Sequence, residues 1–178
     1  MKALLATLFL GFSTFAQSNV PVANPEAACG PREAEFQVTT DKSQHSVAKP
    51  EPGKALVYVI EDQRQELRRY LGNSDRITKL GLDGTWIGAN KGSSYFFFSI
   101  EPGEHHLCSS WEFGGKRPQD RISLAHFTAQ PGQIAYFRVR VIVISTAGFY
   151  SIDLEPVNSD EGQLLVAASP LSIFDQKR

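Results

Sequence analysis

LGLDGTWIGANKGSSYFFFSIEPGEHHLCSSW, residues 80–111, holds two turn signals, four candidate strands, both tryptophans and one of the two cysteines. Asp83-Gly84 is a two-residue hairpin signal, because both positions tolerate the positive φ that a type I′ turn demands. Pro102-Gly103 suits the centre of a type II turn: Pro presets φ at the second position and Gly supplies positive φ at the third. Between these turns, Phe96, Phe98 and Ile100 share one parity, so residues 94–100 read as a strand with a dry face. The stretch predicts antiparallel strands joined by hairpins, with 95–100 pairing 104–111 around Pro102-Gly103. It carries strand and turn chemistry only.

Working upstream, KALVYVIE (54–61) is apolar on both parities, the mark of a strand in the centre of a sheet with both faces covered. Residues 63–71 place Leu67, Tyr70 and Leu71 three and four apart among charges, which suits either a short amphipathic helix or a charged loop. Residues 41–53 are a polar loop, and 35–39, with Phe36 and Val38 on one side, an edge strand. Downstream, 113–120 is a loop and 122–129 a strand. Residues 133–144 alternate, with Phe137, Val139, Val141 and Val143 inward and Tyr136, Arg138 and Arg140 outward. Residues 149–154 place Tyr150, Ile152 and Leu154 inward, and Pro156, which cannot donate to a ladder, ends that strand. Ser159-Asp160-Glu161 opens a helix of about two turns, its acidic first turn favoured by the dipole. The x-Pro-Gly-x turn occurs three times, at 51–54, 101–104 and 130–133, each opening a strand. The expected fold is all-β: an antiparallel β-sandwich of about eight strands with one or two short helices.

The chain of 178 residues suits one domain, here 35–172, with a short tail at 173–178. A net charge of −1 lacks the dense basic face that nucleic acid requires. Residues 1–16 follow the order of an export signal: Lys2, an apolar run too short to span a bilayer, then small residues ahead of a cut after Ala16. A buried N-terminal helix is the alternative. Residues 17–34, with Pro21 and Pro25, form a leader. The most apolar later run, 139–144, has strand length, so no transmembrane anchor is expected in the mature chain. Cys29 and Cys108 read first as one disulfide in an oxidising compartment, closing a loop of about 80 residues and worth about 4 kcal/mol in the chain-entropy model. Two buried thiols are the alternative. No apolar run leads directly into Cys29, which argues against lipid modification.

Three constellations could carry chemistry. His105 and His106 are adjacent on a strand, so they point to opposite faces and cannot share an ion without a bulge. His126 could join one of them only from a neighbouring strand. Parity groups His106 with Glu104 and Ser110, and His105 with Leu107 and Trp111 as an inner, satisfied histidine. No metal site and no cofactor is expected. No Gly-x-Ser-x-Gly and no phosphate-cradling loop is present. Trp86, Tyr95 and Trp111 lie near turns or strand ends, where they either stack on a ligand such as a sugar or peptide or plug the ends of the sandwich. Arg138 and Arg140 with Tyr136 make a cationic stripe, or simply a solvated face.

At LVYVIE, GLDGTWIG, SYFFFSIEPGEHHL and FTAQPGQIAYFRV the chain resembles a bacterial family, domain of unknown function 2846, over about residues 52–157. The DG…G…PG.H.L part also resembles the PEGA surface-associated domains. The resemblance implies a β-sandwich of exported proteins and lipoproteins and supplies no catalytic residues. The chain departs from the family in lacking a lipoprotein cysteine at the export signal and in carrying the charged segment 63–71. The expectation is an exported, non-catalytic protein of the periplasm or extracellular space, binding or assembling with an envelope protein or polysaccharide. The alternative is a small hydrolase or metal-dependent enzyme with a site near His105, His106 and His126.

Overall fold

The seven residues of β2 (Ala55–Glu61), ALVYVIE, are all buried. A strand that is apolar on both parities needs cover on both faces, and the computed structural model shows two layers supplying it. The structure describes residues 29–31, 34–43, 48–63, 77–111, 121–145 and 149–177. Among these, the other strands are β1 (Phe36–Asp41), β3 (Ile77–Leu82), β4 (Thr85–Lys91), β5 (Tyr95–Ile100), β6 (Gly103–Trp111), β7 (Arg121–Ala129), β8 (Ile134–Ser145), β9 (Phe149–Val157) and β10 (Leu171–Gln176), with helix α1 (Ser159–Ala168) before β10. They form a six-stranded sheet of order β1-β10-β5-β2-β8-β9 and a four-stranded sheet of order β4-β3-β6-β7. The fold is an all-β sandwich, with ten strands among the described residues where turn spacing suggested roughly eight.

Val57, Val59, Leu80, Phe96, Leu107, Trp111, Phe137, Val139 and Leu154 fill the space between the sheets. On the opposite face of the larger sheet, Leu56, Tyr58, Ile60, Tyr95 and Tyr136 form a second apolar layer, capped by Val166 of α1. The helix begins where expected. The Asn158 side chain caps it, Oδ1 accepting from the Glu161 backbone N–H at 2.9 Å, with Asp160 and Glu161 in the first turn. No helix among the described residues is long and apolar enough to cross a membrane.

The Asp83-Gly84 hairpin forms as read, with φ of 49° and 80° at its two central residues. At 51–54 and 130–133 the turns close with Lys54 N–H to Glu51 O and Gln133 N–H to Gln130 O, each 3.0 Å. The two turns also meet, Gly132 N–H donating to Lys54 O at 2.9 Å, and so align β2 and β8 in parallel. That pairing, and the parallel contact of β10 with β5, make the larger sheet mixed where a purely antiparallel one was expected.

Other expectations give way to non-local pairing. β5 and β6 do not pair, and Pro102-Gly103 carries the chain from one sheet to the other. The cause lies in the second parity of β5: Tyr95 and Phe97 also need cover, which only the sheet backed by α1 provides. Pro156 does not end β9. It lies opposite Phe137 within the strand, and β9 is an edge strand where a missing N–H is tolerated. Residues 173–176 of the expected tail belong to β10, which pairs with β1 from Phe36↔Gln176 to Asp41↔Leu171. Tyr136, expected to face solvent, is buried beneath α1. Residues 1–28, 64–76 and 112–120 hold the expected export signal, most of the leader, most of the charged helix-or-loop segment and most of the glycine-rich loop, and they lie outside the described residues.

Gly162 lets α1 sit on Tyr136. A Cβ at 162 would stand 2.3 Å from the ring's Cγ and 2.7 Å from its Cβ, atoms that cannot swing away. Gly→Ala inside a helix normally stabilises by about 1 kcal/mol. Here overpacking, typically about 1–3 kcal/mol, opposes that gain. Gly162→Ala is therefore expected to lower stability in a denaturant titration, and a rise in midpoint would contradict this packing.

Candidate functional site

Of the residues singled out from sequence, Cys29, Cys108, Trp86, His106 and His126 lie on the outer face of the four-stranded sheet, the face turned away from the core. There Cys29 and Cys108 are joined in a disulfide, with Cα atoms 5.2 Å apart and both residues buried. The bond brings 29–31 and Ala34 against β3, β4 and β6. Trp86 Nε1–H donates to Pro31 O at 2.7 Å, and Lys79 Nζ donates to Ala34 O at 3.1 Å while lying 4.8 Å from the centre of the Trp86 ring. Two glycines make the close approach possible. A Cβ at Gly81 would stand 2.3 Å from Cys29 O, and one at Gly30, whose φ is 127°, would stand 2.7 Å from Trp86 Cδ1.

Trp86 is thus the floor under an internal segment. The other two aromatic candidates are also buried, Tyr95 in the layer beneath α1 and Trp111 between the sheets. All three are packing residues, and none presents a face for a ligand to stack on.

The histidines separate as parity predicts. His105 turns to the inner side and is held at both ring nitrogens, Nδ1 to Asp83 Oδ2 at 2.7 Å and Nε2 to Glu101 O at 2.9 Å. A carboxylate and a carbonyl both accept, so the doubly protonated ring fits the site. Burial works against that charge, but these two acceptors outweigh it and raise the His105 pKa above its usual value. Asp83 is shared: its Oδ1 accepts from His106 N–H at 2.8 Å, and although burial disfavours its charge, this bond and the His105 ring hold its carboxyl below the usual range.

His106 faces solvent, and β7 is the neighbour of β6. His106 lies directly opposite His126, their ring centroids 4.9 Å apart. Glu104 is on the same face, with Oε2 4.0 Å from His126 Nε2. The structure therefore brings His106 and His126 together and leaves His105 out. Among the described residues no three His, Cys, Asp or Glu side chains stand grouped around one ion position.

The cationic stripe is neutralised. Glu155 Oε1 lies 2.5 Å from both Arg138 Nη2 and Arg140 Nη2, and Arg138 also pairs with Glu161 of α1. The hydrogen bond from Arg138 leads in lowering the Glu155 pKa, with the two guanidinium charges adding to it. This network ties α1 to β8 and β9.

Glu61 escaped the sequence reading. It ends β2 on the parity of Val57 and Val59, is fully buried, and accepts from Gln63 Nε2 at 2.7 Å. Burial pushes its carboxyl up to about 8, so it is mostly protonated at neutral pH. Its last place in an apolar strand was the available signal.

A scan against protein-family models, a search of curated proteins and a search of solved structures each find no match to the chain.

A raised carboxyl pKa in the folded state means that folding binds a proton between the unfolded and folded values. The contribution of Glu61 is therefore most favourable below about 4.5 and declines as pH rises toward about 8, at about 1.4 kcal/mol per unit. Glu61→Gln should remove that slope and be more stable than the parent at pH 9, measured by urea midpoints across pH 5–9. Parallel pH profiles for the two proteins would refute a buried neutral carboxyl.

Proposed function

We propose that the chain is an exported, non-catalytic β-sandwich protein of the bacterial envelope or extracellular space, acting through binding or assembly with an envelope protein or polysaccharide. The observation that carries this reading is the buried Cys29–Cys108 bond, which uses both cysteines of the chain; structural disulfides are found mainly in proteins of oxidising compartments. The charge-apolar-small order of residues 1–16 supports it, as do the strand and turn motifs that resemble domain of unknown function 2846. The non-catalytic part rests on how the reactive side chains are used. Cys108 is bonded, His105 is satisfied at both nitrogens, and Arg138 and Arg140 are paired. Binding by stacking on Trp86, Tyr95 or Trp111 is not part of the proposal, since all three are buried. Exposed large apolar side chains, Leu124, Ile134, Ile142, Leu164 and Ile173, are distributed over β7, β8, α1 and β10.

Expression of the full chain in a Gram-negative host tests the proposal. The expected product lies in the periplasm or medium, begins at Gln17 by mass spectrometry, and shows no free thiol when unfolded without reductant. An uncut chain with two free thiols would overturn export. Cross-linking in the envelope should trap a protein or polysaccharide partner. Hydrolysis of model esters or peptides that His106→Ala abolishes would replace the binding role with the enzyme reading.

A further inference from the structure

The pair His106 and His126 is unused by the fold and by the role proposed above. Directly opposed residues on neighbouring antiparallel strands hold their Cβ atoms about 4.5–5.5 Å apart. On the outer face of β6 and β7 this brings the two rings to a centroid distance of 4.9 Å, tilted by 35°. Both residues are exposed, the His126 side chain at 53%. Among the described residues no hydrogen bond engages a ring nitrogen of either, in contrast to His105. Their backbones are fixed by the ladder and, at His106, by the N–H held on Asp83. Two imidazoles presented at a preset spacing, on a surface free to water, are a ligand pair that loses little freedom on binding.

We propose that His106 and His126 form a two-imidazole chelate for a divalent first-row transition ion, Cu(II) or Ni(II). Imidazole nitrogens suit these ions, and tetragonal sites with nitrogen and oxygen donors are their common geometry. Cis nitrogens bound at about 2.0 Å must come to about 3 Å from each other. Both side chains are exposed, so rotation between staggered wells can vary the spacing of their nitrogens while the ladder holds the strands. Glu104, two residues before His106 on the same face and with Oε2 4.0 Å from His126 Nε2, places a negative charge beside the pair, and water completes the shell. The opposite parity of His105 and its bonds to Asp83 and Glu101 keep it out of the site. Both cysteines are in the disulfide, so no thiol competes for the ion. The chain's remaining histidine, His45, lies outside the described residues and serves as the control.

Titration of the purified full chain with NiCl2 by calorimetry, and with CuSO4 by electron paramagnetic resonance, tests the site. One ion per chain is expected, with nitrogen ligands in the copper spectrum and Cu(II) bound more tightly than Ni(II), as the Irving–Williams order requires. His106→Ala and His126→Ala should each weaken binding at least tenfold, Glu104→Gln should weaken it less, and His45→Ala should leave it unchanged. Thermal melts of the metal-free variants establish that they fold. In the unaltered protein, substoichiometric Cu(II) should broaden amide signals of residues 104–106 and 126–128 before any others. Unchanged affinity in both histidine variants, broadening centred elsewhere, or no binding at stoichiometric concentration would each overturn the site.

Discussion

Burying seven consecutive residues of β2 on both faces takes two covering layers, and the chain builds them from different material. The four-stranded sheet covers Val57 and Val59, while α1 and the tyrosine layer cover Leu56, Tyr58 and Ile60. The same demand extends to β5, which flanks β2 and is apolar on both parities, and this draws β5 away from the hairpin its turn would otherwise form with β6. The centre of the larger sheet therefore contains strands joined through the other sheet or through α1, and the parallel pairing of β2 with β8 follows from those crossovers.

Close approach is the second condition, and glycine meets it in each layer. Gly162 admits α1 to Tyr136, Gly88 stands against the rings of Phe96 and Phe174, and Gly81 and Gly30 let 29–31 lie flat on β3 and β4. None of these positions announces itself by turn chemistry. Each is a strand, helix or segment residue whose missing side chain is a space already taken by a neighbour.

Local patterns were legible in the sequence, and remote ones were not. The Asp83-Gly84 hairpin, the alternation of β8 through Val141, the cap at Asn158 and the two-faced apolarity of β2 depend on residues within a few positions of each other. Which strand lies beside which depends on burial summed over the whole chain. β10 looked like a tail because LSIFDQ is short and only becomes a strand against β1. Tyr136 looked solvated because its neighbours on that parity are Arg138 and Arg140, whose charges are met by Glu155 and Glu161. Parity alone separated His105 from His106, but the approach of His126 required the β6–β7 register. Trp86 could not be assigned, since the segment that covers it begins at Cys29, far away in the chain.

The covalent and non-covalent attachments of that segment act on different states. The disulfide, closing a separation of 79 residues, works mainly by restricting the unfolded chain, worth about 4 kcal/mol in the entropy model. The bonds from Trp86 to Pro31 and from Lys79 to Ala34 act only in the folded state, at about 1 kcal/mol each. The burial of Trp86 beneath the segment adds to them. Because Cys29 and Cys108 are both buried, an attacking thiolate reaches the sulfurs only after the segment lifts or the sheet opens. Lifting breaks both hydrogen bonds and exposes the Trp86 ring while the bond that limits the movement is still intact. The weak contacts therefore protect the strong one from exchange, and the strong one keeps the weak contacts in register when they break.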